Sequence, residues 1–183
     1  MTEFTSARDA LRTYFGYDAF RPGQEGIVNA IIQGRDALGV MPTGAGKSIC
    51  YQIPALVLEG VTLVVSPLIS LMKDQVAALK SAGVPAAYIN SSLTGEQIRT
   101  VYARTRKGAY KLIYVAPERL ETNSFLSLMQ EMDVSFLAVD EAHCISQWGQ
   151  DFRPSYLGIA DFVNALPRRP IVAAYTATAT KQV

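Results

Sequence analysis

Two kinds of hydrophobic pattern alternate along this chain. Short apolar runs rich in β-branched residues, such as 61–66 and 134–139, predict strands that are buried on both faces. Between the runs lie longer segments in which apolar residues recur every three or four positions, and these predict helices. The predicted strands lie at 37–40, 61–66, 86–89, 111–116, 134–139 and 170–175, and the predicted helices at 6–15, 20–34, 67–82, 94–107, 122–132 and 155–166.

This alternation predicts an α/β fold in which a mainly parallel central sheet is covered by helices on both faces. In such sheets, ligands bind at the carboxyl ends of the strands. Polar clusters follow five of the predicted strands, so we expect them to share one rim of the sheet. These clusters are 43–48, 66–70, 117–119, 140–143 and 176–178.

Composition and charge narrow the classes to which this protein can belong. The 183 residues and a hydrophobic fraction of 49% fit a single domain with a buried core, and a net charge of +1 provides no general attraction for nucleic acid. Cys50 and Cys144 lie far apart, and with a single histidine they cannot form a zinc site, so we expect free thiols in a reducing compartment. Neither a membrane span nor a secretory signal is expected, which predicts a cytoplasmic protein, in the bacterial cytoplasm or nucleoid.

A nucleoside triphosphate site is predicted where the first strand meets a glycine-rich turn ending in Gly46-Lys47-Ser48. Glycines let backbone N–H groups close on phosphates, and the following helix N-terminus favours negative charge. Lys47 would reach the β and γ phosphates of ATP, and the Ser48 hydroxyl would bind Mg²⁺. The strict motif requires glycine where the chain has Met41, so a chance match in an exposed turn is the alternative. The predicted ATP-binding residues here are Pro42, Thr43, Gly44, Ala45, Gly46, Lys47 and Ser48.

Two carboxylates and a histidine follow the strand at 134–139. Phosphoryl transfer requires a carboxylate facing the metal ion, which we assign to Asp140, and a group that orients the attacking water, which we assign to Glu141. An acidic strand end that caps the next helix is the alternative. His143 is a third candidate for the catalytic group, with a buried structural histidine as its alternative.

These motifs together resemble motifs I, II and III of superfamily two helicases, at 44–48, 140–143 and 176–178. Further segments resemble the RecQ family, at 15–24, 66–75 and 144–156. Methionine before Pro-Thr-Gly is acceptable in that family, which accounts for Met41. The resemblance extends from about residue 11 to 180 and implies the RecA-like fold of a P-loop NTPase.

The RecQ resemblance also implies an adenine site upstream of the phosphate loop. Gln24 would donate to and accept from the adenine edge, since one amide side chain can do both. Tyr17 would stack on the base, and Arg21 would support it. The alternatives are a solvated helix residue for Gln24 and a core aromatic for Tyr17.

DNA contacts are implied for two segments, 66–75 and 144–156. In the first, the hydroxyls and the helix N-terminus that follow a strand would bind a sugar–phosphate backbone, and a well-capped crossover helix is the alternative. Trp148 and Phe152 would stack on bases of single-stranded DNA, and Arg153 would contact a phosphate. An aromatic loop that packs into the core or against another domain is the alternative. The predicted DNA-binding residues are Ser66, Ser70, Gln147, Trp148, Phe152 and Arg153.

The resemblance also implies a coupling role for two threonines after the last strand. Thr176 and Thr178 would couple the γ phosphate to the rest of the site, or would only cap the last strand.

The family implies ATP hydrolysis coupled to 3′-to-5′ movement on single-stranded and forked DNA, in repair and recombination. The chain is expected to be one N-terminal RecA-like domain, with a helical region at 1–35 and the sheet core at 36–183. A second RecA-like domain, which supplies arginine fingers in such enzymes, is missing from these residues, so we expect weak ATP binding, poor hydrolysis and no unwinding by this chain alone. The rival interpretations are an RNA-directed helicase and a nucleotide-dependent binding module without hydrolysis.

Overall fold

Strands and helices alternate as expected in a computed structural model that describes residues 6–146 and 152–177. Gln147, Trp148 and Thr178 lie outside the described residues. Within those ranges no helix is both long and apolar enough to cross a membrane.

Six strands form a single sheet in the order β1-β6-β5-β2-β4-β3. Every neighbouring pair is parallel, which confirms the predicted fold class. The strands are β1 (Ala37–Val40), β2 (Val61–Val65), β3 (Ala86–Ile89), β4 (Leu112–Val115), β5 (Val134–Val139) and β6 (Ile171–Thr176). The helices are α1 (Ala7–Phe15), α2 (Gln24–Ile32), α3 (Lys47–Val57), α4 (Ile69–Ser81), α5 (Gly95–Arg106), α6 (Pro117–Leu120), α7 (Asn123–Gln130) and α8 (Gly158–Ala165), with short 3₁₀ turns at Ala142–Ile145 and Pro154–Tyr156.

Alternate residues of the central strands pack into two separate apolar layers. Val64 of β2 joins the layer made with α1, α2, α3 and α4. Leu63 and Val65 point to the opposite face and join the layer made with α7 and α8. Because the two faces of a strand alternate at every residue, a strand buried on both faces is continuously apolar. The sheet is therefore the middle of three layers, and the connecting loops lie at the two ends of its strands.

Several helix ends are capped by residue types that favour such positions. Ser6 caps α1 by accepting a hydrogen bond from the Asp9 N–H, 3.2 Å away. Thr94 and Gln97 form a reciprocal capping box on α5. Gly16 ends α1 in the left-handed conformation, which glycine adopts without steric cost.

Other boundaries differ from those predicted. Gly23 has a left-handed backbone, so α2 begins at Gln24 and not at residue 20, as the predicted range of 20–34 had it. The segment after β4 forms the short helix α6, because proline is well suited to a first helical turn. The predicted helix at 155–166 divides into a 3₁₀ turn and α8.

The turn between α3 and β2 is closely packed at Gly60. Its φ is 72°, and an added Cβ would collide with the backbone carbonyl oxygen of Asp133. The buried Lys111 ammonium donates to the Gly60 carbonyl at 2.8 Å, so the turn cannot move away freely. This turn sets where β2, the centre of the sheet, begins.

We predict that Gly60→Ala destabilises the chain far more than Gly108→Ala. Both glycines are left-handed, but Gly108, with φ of 68°, has open space where its Cβ would lie. Gly108→Ala should cost only the backbone term of about 1–2 kcal/mol, and Gly60→Ala about 1–3 kcal/mol more from the collision. Urea unfolding measures both values. Equal losses in the two variants would contradict this account of the turn.

Candidate active site

Four neighbouring strands end side by side at one rim of the sheet. In spatial order β1 leads into the phosphate loop, β6 ends at Thr176, β5 leads into Asp140, and β2 leads into Ser66. The parallel topology alone brings these distant parts of the sequence together. A cavity of about 770 Å³ lies at this rim, lined by the phosphate loop and by residues of α1, α3 and α4.

The phosphate loop turns through two left-handed glycines, Gly44 and Gly46, with φ of 82° and 80°. Lys47 then begins α3, so its ammonium and the Ser48 hydroxyl stand at a helix N-terminus. Met41 is buried, and its backbone N–H donates to the Thr176 carbonyl at 2.9 Å. Its side chain packs in the core with its sulfur 3.6 Å from the Cys50 sulfur, and its φ is not positive, so this position does not require glycine.

Gln24 and Arg21 donate hydrogen bonds to backbone carbonyls of the phosphate loop. The Gln24 amide donates to the carbonyls of Ala45 and Gly46, both at 3.1 Å, and accepts from the Arg21 N–H at 2.8 Å. The Arg21 guanidinium donates to the Gly44 carbonyl at 3.0 Å. In this state the amide predicted to contact adenine is therefore occupied by the loop.

The other predicted nucleotide contacts line the cavity or border its loop. Tyr17 is 51% exposed at the cavity, which leaves its ring free to stack on a base. Pro42 and Thr43 are exposed at the start of the loop. These positions are compatible with the predicted roles.

A chain of polar contacts joins the three predicted motifs. The Lys47 ammonium lies 3.2 Å from Glu141 Oε1. The other carboxylate oxygen, Glu141 Oε2, lies 3.3 Å from His143 Nδ1, which is also 3.1 Å from the Thr176 hydroxyl. A carboxylate only accepts hydrogen bonds, so the geometry favours the tautomer with the proton on Nδ1. Lys47, Glu141, His143 and Thr176 thus form one network.

Asp140 is almost fully enclosed, with 5% of its surface exposed. Burial and the neighbouring Glu141 carboxylate raise the pKa of Asp140 to about 6, against smaller opposing effects of Lys47, the Glu141 N–H and His143. The N–H of Glu141 donates to Asp140 Oδ1 at 3.0 Å. A carboxylate in these surroundings gains from a nearby cation.

Glu141 has a strained backbone. Among the residues described at 6–146 and 152–177, it alone combines a side chain with a positive φ, at 51°. This conformation costs an L-residue about 1–2 kcal/mol and persists only where neighbouring contacts impose it. This left-handed conformation places the Glu141 carboxylate beside Lys47. The sequence pattern does not predict the conformation.

The predicted DNA-binding residues occupy different environments. Ser66 is 1% exposed, so its hydroxyl does not reach the surface in this conformation. Ser70, near the start of α4, and Arg153 are exposed, and Phe152 is partly buried. The Arg153 guanidinium donates to the Pro67 carbonyl at 3.3 Å, which connects the segment after 144 to the segment after β2.

Comparison with known proteins identifies the family. The DEAD/DEAH box helicase family matches residues 21–183. The chain belongs to this family. It is 52% identical over 97% of its length to the ATP-dependent DNA helicase RecQ of Bacillus subtilis, and 53% identical over 97% to that of Haemophilus influenzae. These matches confirm the resemblance to RecQ enzymes. The chain spans only 30% and 28% of the length of these two relatives.

The fold agrees with solved helicase structures. A hypothetical ATP-dependent RNA helicase from Sulfolobus tokodaii superposes with a TM-score of 0.74. The match covers 98% of this chain and 52% of the other, at 18% sequence identity. At that identity the likeness concerns the fold alone.

We predict that Asp140→Asn stabilises the nucleotide-free chain at pH 8. An acid whose pKa is raised on folding binds its proton more tightly in the folded state, so the wild type loses stability as pH rises through about 4 to 6. Relief of this cost should amount to about 2–3 kcal/mol at pH 8 and should shrink toward zero near pH 4.

Urea unfolding at a series of pH values measures this effect. Asp74→Asn, an exposed aspartate on α4, is the control and should change little at any pH. A gain for Asp140→Asn that does not vary with pH would contradict the assignment.

Proposed function

We propose that this chain is the first motor domain of a RecQ-type ATP-dependent DNA helicase. The network of Lys47, Glu141, His143 and Thr176 carries the proposal, because it joins the phosphate loop to the carboxylate motif and to the last strand. The relatives at 52% and 53% identity are named DNA helicases, which favours DNA over RNA as the nucleic acid.

ATP binding would replace the contact between Lys47 and Glu141. The ammonium is already at the helix N-terminus where the β and γ phosphates would lie, so a small side-chain movement exchanges a carboxylate for a phosphate. The adenine would stack on Tyr17 and meet Gln24. Gln24 also donates hydrogen bonds to the carbonyls of Ala45 and Gly46 in the phosphate loop. The residues that contact the base and those that contact the phosphates would therefore be directly hydrogen-bonded to each other.

The residues present fit Mg²⁺. The Ser48 hydroxyl and the Asp140 carboxylate offer hard oxygen ligands, which Mg²⁺ prefers. A bound cation would also offset the burial and the Glu141 charge that raise the pKa of Asp140. No group of three His, Cys, Asp or Glu residues able to hold a metal occurs among the described residues. This agrees with an ion that takes its remaining ligands from phosphates and water. When bound, it would neutralise charge on the β and γ phosphates.

Glu141, once released from Lys47, would orient the water that attacks the γ phosphate in line with the leaving oxygen. His143 would orient the Glu141 carboxylate through Oε2 and would connect it to the Thr176 hydroxyl. Lys47 would stabilise the charge on the transferred group. The chain's own residues therefore account for nucleotide binding and for the orientation of the water.

A full turnover would need a second RecA-like domain across this rim. In related phosphate-loop enzymes an arginine finger accounts for about 10³–10⁵ in turnover. Single-stranded DNA, and forked DNA during unwinding, would lie along the segments containing Ser70 and Arg153, with movement in the 3′-to-5′ direction. Coupling between the domains would convert hydrolysis into this movement.

The test compares ATP hydrolysis by the 183-residue chain with that of a form extended through the next domain. We expect the chain alone to hydrolyse ATP slowly and to unwind nothing, and the longer form to be stimulated by single-stranded DNA. In the longer form Glu141→Gln should lower kcat at least about 100-fold while ATP still binds. Glu96→Gln, an exposed carboxylate on α5, should leave kcat unchanged.

Two results would overturn the proposal. The first is robust unwinding by the 183-residue chain. The second is hydrolysis by the longer form that single-stranded RNA stimulates and single-stranded DNA does not, which would favour the RNA-directed alternative. Unchanged hydrolysis in Glu141→Gln would remove that residue from the mechanism.

A further inference from the structure

Helix α3, which begins at the phosphate loop, carries a proline in its interior. In a regular helix each N–H donates to the carbonyl four positions earlier, so the partner of the Cys50 carbonyl would be the N–H of residue 54. That residue is Pro54, which has no N–H. The Cys50 carbonyl therefore lacks its helical partner, and because Cys50 is fully buried, solvent does not replace the missing donor.

Tyr175 on β6 supplies a donor to this carbonyl. Its hydroxyl donates to the Cys50 carbonyl oxygen at 3.1 Å. The Tyr175 side chain is fully buried, and burial raises the pKa of its hydroxyl, so the hydroxyl keeps its proton and remains a donor. An unpaired carbonyl in the core is costly, so this bond from the sheet replaces the helical bond that Pro54 removes.

The elements around the Tyr175 ring leave room for it. Gly39 is its neighbour on β1, and a Cβ at Gly39 would lie 2.8 Å from a ring carbon of Tyr175. The Tyr51 ring of α3 meets the Tyr175 ring edge to face, with the ring centroids 5.5 Å apart. Glycine inside a strand commonly marks a close approach of another group, which here is the tyrosine ring. The ring is thus confined between β1 and α3, and this fixes the direction of its hydroxyl.

The hydrogen-bonded carbonyl belongs to the turn that presents the phosphate-binding groups. Helix α3 begins at Lys47, so Cys50 completes its first turn. The next residue on β6, Thr176, contacts His143 Nδ1 with its hydroxyl at 3.1 Å. The end of β6 therefore contacts the polar network of the site through Thr176 and the phosphate-binding helix through Tyr175.

We propose that Tyr175 is a positioning residue for the phosphate-binding end of α3, and that its hydroxyl acts by replacing the N–H that Pro54 lacks. The role deepens the proposed function and rests on it. Without the hydroxyl, the first turn of α3 would shift toward another partner for the Cys50 carbonyl, and Lys47 and Ser48 would shift with it. Only molecules with a correctly placed turn would bind nucleotide tightly, so the apparent Kd would rise by the inverse of their fraction.

The test measures binding of a non-hydrolysable ATP analogue with Mg²⁺ to the 183-residue chain by isothermal titration calorimetry. Tyr175→Phe keeps the ring and removes the hydroxyl. We expect Kd to rise about two- to tenfold, the range that corresponds to one lost hydrogen bond. An unchanged Kd in Tyr175→Phe would overturn the positioning role and leave the proposed function standing.

Pro54→Ala supplies the background that isolates the mechanism, because alanine restores the N–H at position 54. The Cys50 carbonyl then regains its helical partner, so adding Tyr175→Phe to Pro54→Ala should change Kd by less than about twofold. A rise in this background as large as that of Tyr175→Phe alone would overturn the inference, since the hydroxyl would then act by another route.

Tyr114→Phe is the matched control for a general loss of stability. Tyr114 is also buried, and its hydroxyl accepts a hydrogen bond at 3.0 Å from the side-chain amide of Gln52 on the same helix. Tyr114→Phe should lower the thermal midpoint about as much as Tyr175→Phe and leave Kd unchanged. An equal rise of Kd in both variants would overturn the role assigned to Tyr175. A wild-type chain that binds no analogue would instead overturn the proposed function, and this inference with it.

Discussion

The contact between Lys47 and Glu141 is the interaction on which the rest of the site depends. Both side chains are largely enclosed, at 14% and 21% exposed, and a charge removed from water needs a partner. Without nucleotide each supplies the partner for the other. In the proposed function the same lysine would bind the phosphates, so that nucleotide binding and release of the Glu141 carboxylate would be one event. His143 and Thr176 extend this exchange to the last strand.

The parallel sheet makes this contact possible. Lys47 and Glu141 are 94 positions apart in sequence, yet β1 and β5 flank β6 and end at the same rim. The cost of the arrangement is visible at Asp140, whose pKa is raised by burial and by the neighbouring Glu141 carboxylate. It is visible also in the left-handed backbone of Glu141. Sites that hold reactive groups ready commonly store such strain.

The fold and the rim could be predicted from sequence because they follow from local patterns. Apolar runs predicted the strands, and polar clusters at the ends of these strands indicated that one edge of the sheet carries the function. The contacts of Gln24 with the phosphate loop could not be predicted, since they depend on the path of a loop with two left-handed glycines. Burial of Ser66 and the hydrogen bond from Tyr156 to Asp140 were also hidden, because long-range packing decides them.

The most direct measurement is a crystal structure of the chain with Mg²⁺ and a non-hydrolysable ATP analogue. We predict that in this structure the Lys47 ammonium binds the β or γ phosphate and lies beyond about 4 Å, the limit of an ion pair, from both Glu141 oxygens. Glu141 should keep its left-handed backbone. A structure in which the phosphates are seated while Lys47 remains 3.2 Å from Glu141 Oε1 would contradict the central claim.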